Sequence, residues 1–492
     1  LIRDRIALAI LAGMVPSSVS RGRVRLDRTG WLIIGWGAGS DGSEVAPRRR
    51  ARAHPQEGLG GVAWVAALLM VVMATLFRGG NRSVALMALE ALALLVLLAW
   101  GWRALGAQGL PPALGAGRWR AARLALAAAP LWVVAVQLLP WPGAGALSAT
   151  PLATAHALLA GLPVVACFLV ALSGNAAQVQ TLLRLWLWVA VAQAALGLVQ
   201  LGGFEALHFG EMGEKVRGTY ASKNTYANLL AMAVPLAVLG LWGASGRRGS
   251  GSNGEGRSPW WGVLALLTLL AAALASASRT GITTALLVAL LALALLAPVR
   301  ESAGGGRGGW LRRLGLPALT LGLLAVALFM GGLDWVERFD AERLAADDAL
   351  RALTREATWQ GALAYWPLGS GLGSYAWVFP RFQAPEVGRY WLDLAHNDYL
   401  QILMETGVLG LAAMMLALAL VGRRALQLAR AGRGRWSSAD HLAVACGLGL
   451  LATLLHAWVD YPFRIPANAM LAACLLGVFL REPTPVPAGQ PQ

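Results

Sequence analysis

Three short polar stretches interrupt an otherwise apolar chain, and they hold the residues able to do chemistry. The first is Val216-Arg217-Gly218-Thr219-Tyr220-Ala221-Ser222-Lys223-Asn224 and the second is Ser276-Ala277-Ser278-Arg279-Thr280-Gly281. The third is Ala395-His396-Asn397-Asp398-Tyr399-Leu400-Gln401, followed by Glu405-Thr406-Gly407-Val408-Leu409-Gly410. Taken singly, each has an ordinary explanation. An arginine near a helix end snorkels to the headgroups, a histidine at a helix start serves as a polar cap, and Gly407 with Gly410 lets helices pack closely. Together they say more. Two arginines and a lysine suit an anion of two or three charges such as a diphosphate, which arginine grips bidentately and lysine holds as a point charge. An imidazole, with a reference pKa near 6.5, can take a proton from a hydroxyl at neutral pH, and neighbouring guanidinium groups keep it neutral. Asp393, His396 and Asp398 stand at i, i+3 and i+5, which is not a metal-ligand spacing, so neither a metal nor a cofactor is expected.

The elements that must position these residues are set by composition. The 492 residues are 57% hydrophobic and 13% charged, against about 25% charged in soluble domains. Apolar runs close to 20 residues long recur, each able to cross a hydrocarbon core of about 30 Å as a helix. Twelve spans can be drawn, at 60–77, 84–101, 121–139, 156–172, 181–202, 224–243, 260–278, 282–299, 314–332, 398–421, 438–459 and 465–480. The fold class expected is an all-α polytopic membrane protein. The net charge of +16 is spread between the spans, which fits loop placement rather than a phosphate-tracking face, and no nucleic-acid partner is expected. Cys167, Cys446 and Cys474 fall inside apolar runs, so no disulfide framework is expected.

Arginine-rich segments 102–123, 244–259, 300–313 and 422–437 fall on one side of the twelve-span layout, and that side is cytoplasmic by the positive-inside rule. Arg78 and Arg82 disagree, lying between the first two spans on the outer side. Residues 203–223, Arg279, 333–397 and 460–464 then share the outer face. Within 333–397, residues 346–366 read as an amphipathic helix with Leu350, Leu353, Ala357 and Trp366 at helical spacing and Pro367 as its stop. The expected division is 1–58, a disordered basic cytoplasmic arm or mis-assigned start; 59–332, spans one to nine; 333–397, the periplasmic loop; 398–480, spans ten to twelve; and 481–492, a cytoplasmic tail. Residues 1–58 carry ten arginines and a single short apolar run, Ile6–Val15, too little to span or to build a core.

His396-Asn397, nine residues, then Gly407-x-x-Gly410 resembles the signature of the O-antigen ligase/polymerase superfamily. The run Trp359…Pro367-Leu368-Gly369-Ser370-Gly371-Leu372-Gly373-Ser374-Tyr375, with Phe379-Pro380, resembles that family's periplasmic loop. Arg217-Gly218-Thr219-Tyr220 with Asn224 resembles its Gly-Thr-aromatic…Asn motif, and Ser278-Arg279 its Ser-Arg motif. Lys223 departs from the pattern, standing where many members have Pro. The resemblance implies a GT-C-like bundle with a periplasmic loop capping the site, in the bacterial inner membrane. It implies a glycosyltransferase working on an undecaprenyl-diphosphate-linked glycan, with Arg217 and Arg279 on the diphosphate and His396 as base. Lys223, Asn224, Tyr220, Asn397, Asp398 and Glu405 would bind substrate. The acceptor implied is lipid A-core for a ligase or the growing glycan for a polymerase. Only 96 residues follow His396, which argues against a protein O-oligosaccharyltransferase. A polysaccharide transporter would instead need charged or broken helices near the midplane.

Overall fold

A computed structural model describes residues 59–106, 109–143, 145–202, 216–243, 260–297, 341–388 and 391–482, together with two short strands, β1 (Arg25–Leu26) and β2 (Leu32–Ile33). The chain divides into two units, Leu1–Pro55 and Gln56–Gln492. In the first, β1 pairs antiparallel with β2, Arg25 opposite Ile33. Apart from these strands, residues 1–58 lie outside the described residues, as does the span drawn at 314–332.

The second unit is built of helices. They are α1 (Gly61–Leu76), α2 (Ser83–Leu105), α3 (Gly117–Ala127), α4 (Ala129–Leu138), α5 (Pro151–Ser173), α6 (Ala176–Leu201), α7 (Lys223–Gly243), α8 (Trp260–Ala275), α9 (Arg279–Leu296), α10 (Ala341–Ala364), α11 (Tyr375–Val378), α12 (Asp398–Ala431), α13 (Ser438–His456) and α14 (Pro466–Phe479). Among the described residues, 7 helices are long and apolar enough to cross a membrane, or up to 8 if the bent pair α3 and α4 is one span; α1, α8 and α14 are apolar but shorter. The segment drawn at 121–139 as one helix is thus two, meeting at 56°. Pro130, in the first turn of α4, supplies the cause, because proline lacks the N–H that would bond back four residues and its ring crowds the carbonyl there.

α7 forms the centre. Its apolar window is 83% buried, against 22% for α2 on the rim. Small residues bring its neighbours close. Gly281 of α9 lies against Ala227, and Gly449 of α13 against the Met232 carbonyl, with no room for a Cβ in either place. α14 packs on α5 in the same way through Gly477 and the Phe168 carbonyl.

α12 is interrupted. Gly407 leaves helical geometry at φ 55, ψ −135, and the run 367–371 docks into the break. Val408 N donates to Pro367 O (2.8 Å), Ser370 N to Met404 O (2.9 Å) and Gly371 N to Glu405 O (2.9 Å). Gln137 of α4 adds donors to Leu368 O (3.0 Å) and Glu405 O (2.7 Å) and accepts from Leu372 N at 2.9 Å. Irregular backbone is tolerated at such depth only when its polar groups are satisfied this way. A Cβ on Gly407 would overlap the Pro367 carbonyl, and one on Gly369 the Glu405 carbonyl. Gly407 is therefore a loop seat rather than a helix-packing position. α10 packs on α12 with Gly361 against Met404. The buried face of α10 is Thr354, Ala357, Thr358 and Ala362, while Leu350 and Trp366 point outward. The apolar stripe read from the sequence is thus offset, because small residues on α10 allow the closer approach.

Candidate functional site

The Arg217 stretch is drawn into the bundle by two glutamines of α6. Gln200 accepts from the N–H groups of Arg217 (3.1 Å) and Gly218 (2.9 Å) and donates to Gly218 O (2.7 Å). Gln193, two turns earlier on the same face, accepts from Thr219 N (3.0 Å) and donates to Thr75 O (3.1 Å) at the end of α1. The Thr219 hydroxyl donates to the same Thr75 carbonyl. Gly218, at φ 56, lets the turn approach so closely that a Cβ would overlap Gln193 Oε1. Arg217 is buried, with Nη1 donating to Ala221 O at 3.2 Å. Tyr220, expected to bind substrate, is fully buried and meets Tyr226 edge-on at 6.2 Å between ring centroids. Lys223 and Asn224 open α7 half-buried.

Arg279 follows a break between α8 and α9. Ala277 adopts φ 51, and Ser278 caps α9 by accepting from Gly281 N at 3.3 Å. Because Gly281 touches Ala227, the first turns of α7 and α9 are neighbours. The two helix N-termini contribute positive partial charge at the same place.

The third stretch meets the turn between α13 and α14. His396 sits at φ 51, and Asn397 caps α12 by accepting from Leu400 N at 3.0 Å. His396 Nδ1 lies 3.3 Å from Asp460 Oδ1, and His456 Nε2 lies 3.7 Å from Asp460 Oδ2. Asp460 is 2% exposed and the His396 side chain 34%. Burial alone would push the Asp460 carboxyl up, but the imidazoles of His396 and His456 facing it hold it well below the usual carboxylate range. Tyr461 stands edge-on to the imidazole at 4.9 Å.

Arg464, on the same turn, reaches Glu405 Oε2 at 3.0 Å and Asp398 Oδ1 at 3.5 Å. Burial works against the Arg464 charge, but the two carboxylates overcome it and hold the group firmly protonated. Asp398 also accepts from Phe463 N (2.9 Å), and its own N–H donates to Ala457 O (3.0 Å). Both carboxylates, expected among the substrate-binding residues, are fully buried. Asp393, His396 and Asp398 do not gather; among the described residues no three His, Cys, Asp or Glu side chains form a metal-binding group. Asn468 of α14 donates to Thr225 O (2.8 Å) and Asn228 Oδ1 (2.9 Å), and Thr453 of α13 donates to the same oxygen (3.2 Å). These bonds tie α13 and α14, whose turn contacts His396, to the start of α7, so all three stretches lie at one end of the bundle. Gln193, Gln200, Asp460, His456 and Arg464 escape sequence reasoning. The only signals were two glutamines at helical spacing in an apolar run and one acid in a short outer turn.

Fold and site together define a multi-pass helical membrane protein with basic groups and a carboxylate-held imidazole at one end. Residues 264–415 match the O-antigen ligase family, which supports the resemblance to the O-antigen ligase superfamily. The match includes Arg279, His396, Asn397, Asp398 and Glu405. No curated protein matches the chain.

Proposed function

We propose that this protein transfers an O-antigen or related polysaccharide from undecaprenyl diphosphate to a hydroxyl of lipid A-core, on the periplasmic face of the bacterial inner membrane, with inversion and without a metal. The observation that carries the reading is His396 with Nδ1 against the buried Asp460 carboxylate. That contact favours the tautomer whose Nε2 is free to accept a proton. The acceptor oxygen attacks the anomeric carbon as its proton passes to His396 Nε2. The bond from that carbon to the diphosphate oxygen breaks, and undecaprenyl diphosphate leaves with the electron pair. Asp460 stabilises the imidazolium that forms. Arg217 and Arg279, with Lys223 and the N-termini of α7 and α9, stabilise the charge developing on the leaving group. Tyr220, Asn224 and Asn397 shape this wall of the site, and Asp398 and Glu405 act on it through Arg464.

A growing glycan end would use the same base and clamp, and this is the polymerase alternative. The test is transfer by purified protein from a lipid-diphosphate glycan to either acceptor, with and without chelator. Transfer to lipid A-core that survives chelation supports the ligase reading. Transfer to glycan ends alone favours the polymerase, and loss on chelation overturns the metal-free one.

A further inference from the structure

Three non-glycine residues among the described ones hold a left-handed backbone: Ala277, His396 and Arg78, the last at φ 55. Side chains rarely adopt this geometry, and the outliers that persist gather at functional sites. Ala277 introduces Arg279, and His396 is the proposed base. Arg78 belongs to neither stretch, yet the fold carries it to the same place. It begins the turn Arg78–Gly80 that follows α1. That turn is wedged between two walls of the site. A Cβ on Gly79 would overlap Ile465 and press on Tyr220, and one on Gly80 would press on Leu89 and Pro466. Three residues before Arg78, Thr75 O accepts from both Gln193 and Thr219. Arg78 is half-buried, and no carboxylate among the described residues pairs with it. It also breaks the charge rule, lying at the outer end while most of the loop arginines lie at the other.

We infer that Arg78 is a third guanidinium of the diphosphate site, gripping the anion beside Arg217 and Arg279. The inference rests on the proposed donor chemistry. Its strained backbone is kept because the side chain must enter the site from the end of α1, and its outward charge is kept because an anion arrives there.

The test is binding by the full-length protein in detergent, titrated with inorganic diphosphate and separately with farnesyl diphosphate, for wild type, Arg78→Gly, Arg78→Asn and Arg217→Gln. Glycine and asparagine both suit a left-handed backbone, so the unliganded thermal midpoint should hold or rise. Binding of both ligands should weaken about tenfold or more in either Arg78 variant, in line with loss of one bidentate contact. Wild-type affinity for both ligands in Arg78→Gly and Arg78→Asn overturns the inference, as does weakening for the prenylated ligand alone, which would make Arg78 a lipid-surface contact. If Arg217→Gln also binds both ligands normally, the diphosphate site itself is wrong. If Arg217→Gln weakens binding and the Arg78 variants do not, only the present inference falls.

Discussion

At the scale of single residues, the site depends on side chains whose charge is fixed by a few neighbours. Asp460→Asn removes the carboxylate facing His396 and should depress turnover by about 10²-fold or more, since general-base catalysis is worth about 10²–10⁴-fold; steady-state transfer kinetics check this. The same substitution carries a pH signature. A carboxylate held below its usual range stabilises the fold above its unfolded pKa, near 3.9, and loses that contribution as pH falls through the folded value. Thermal midpoints of the wild type should therefore fall more steeply than those of Asp460→Asn as pH drops below about 4. Arg217→Lys and Arg279→Lys should each lower turnover strongly at unchanged protein level, because the planar fork is lost while the charge remains. His396, Arg217 and Arg279 were legible in the sequence because ionisable groups stand out in an apolar background. Asp460 and Arg464 were not. Their partners lie 64 positions away at His396 and 66 away at Asp398, and only folding joins them.

At the scale of elements, Arg464 and Gly407 do the joining. Arg464→Met would strand Asp398 and Glu405 as buried carboxylates, a loss of roughly 3–5 kcal/mol. Adding Asp398→Asn and Glu405→Gln should recover most of that in detergent melting. Gly407→Ala meets two obstacles, a left-handed φ worth about 1–2 kcal/mol and the Pro367 carbonyl in the space of the new methyl. It should free the 367–374 run, raising its cleavage by added protease. Gly422→Ala on the same helix, where no atom lies within 4 Å of the added Cβ, should leave cleavage unchanged. Helix positions were readable from hydropathy, and the Gly-rich run was recognisable as a loop. That this loop would enter a break in α12 was hidden, because a glycine pair spaced for helix packing and one that ends a helix look alike.

At the scale of the whole molecule, the basic segments at 102–123 and 422–437 and the polar stretches fall at opposite ends of the spans as drawn, which supports the periplasmic face proposed for the site. Residues 1–55 belong to a separate unit from the one that carries the site, and the basic arm expected at 1–58 covers them. Their deletion should leave membrane insertion and transfer intact, as checked by membrane fractionation and the same assay. The apolar helices among the described residues were legible because length and apolarity are local properties, though only 7 or 8 of them are long enough to span; the gathering of three distant stretches was not legible. That gathering is the central claim, and it is tested most directly by glycan transfer from a lipid diphosphate with purified wild-type protein and His396→Ala side by side. Robust transfer is expected from the wild type and none detectable from a His396→Ala protein that inserts and melts normally. Transfer by His396→Ala at a rate near that of the wild type would contradict that claim.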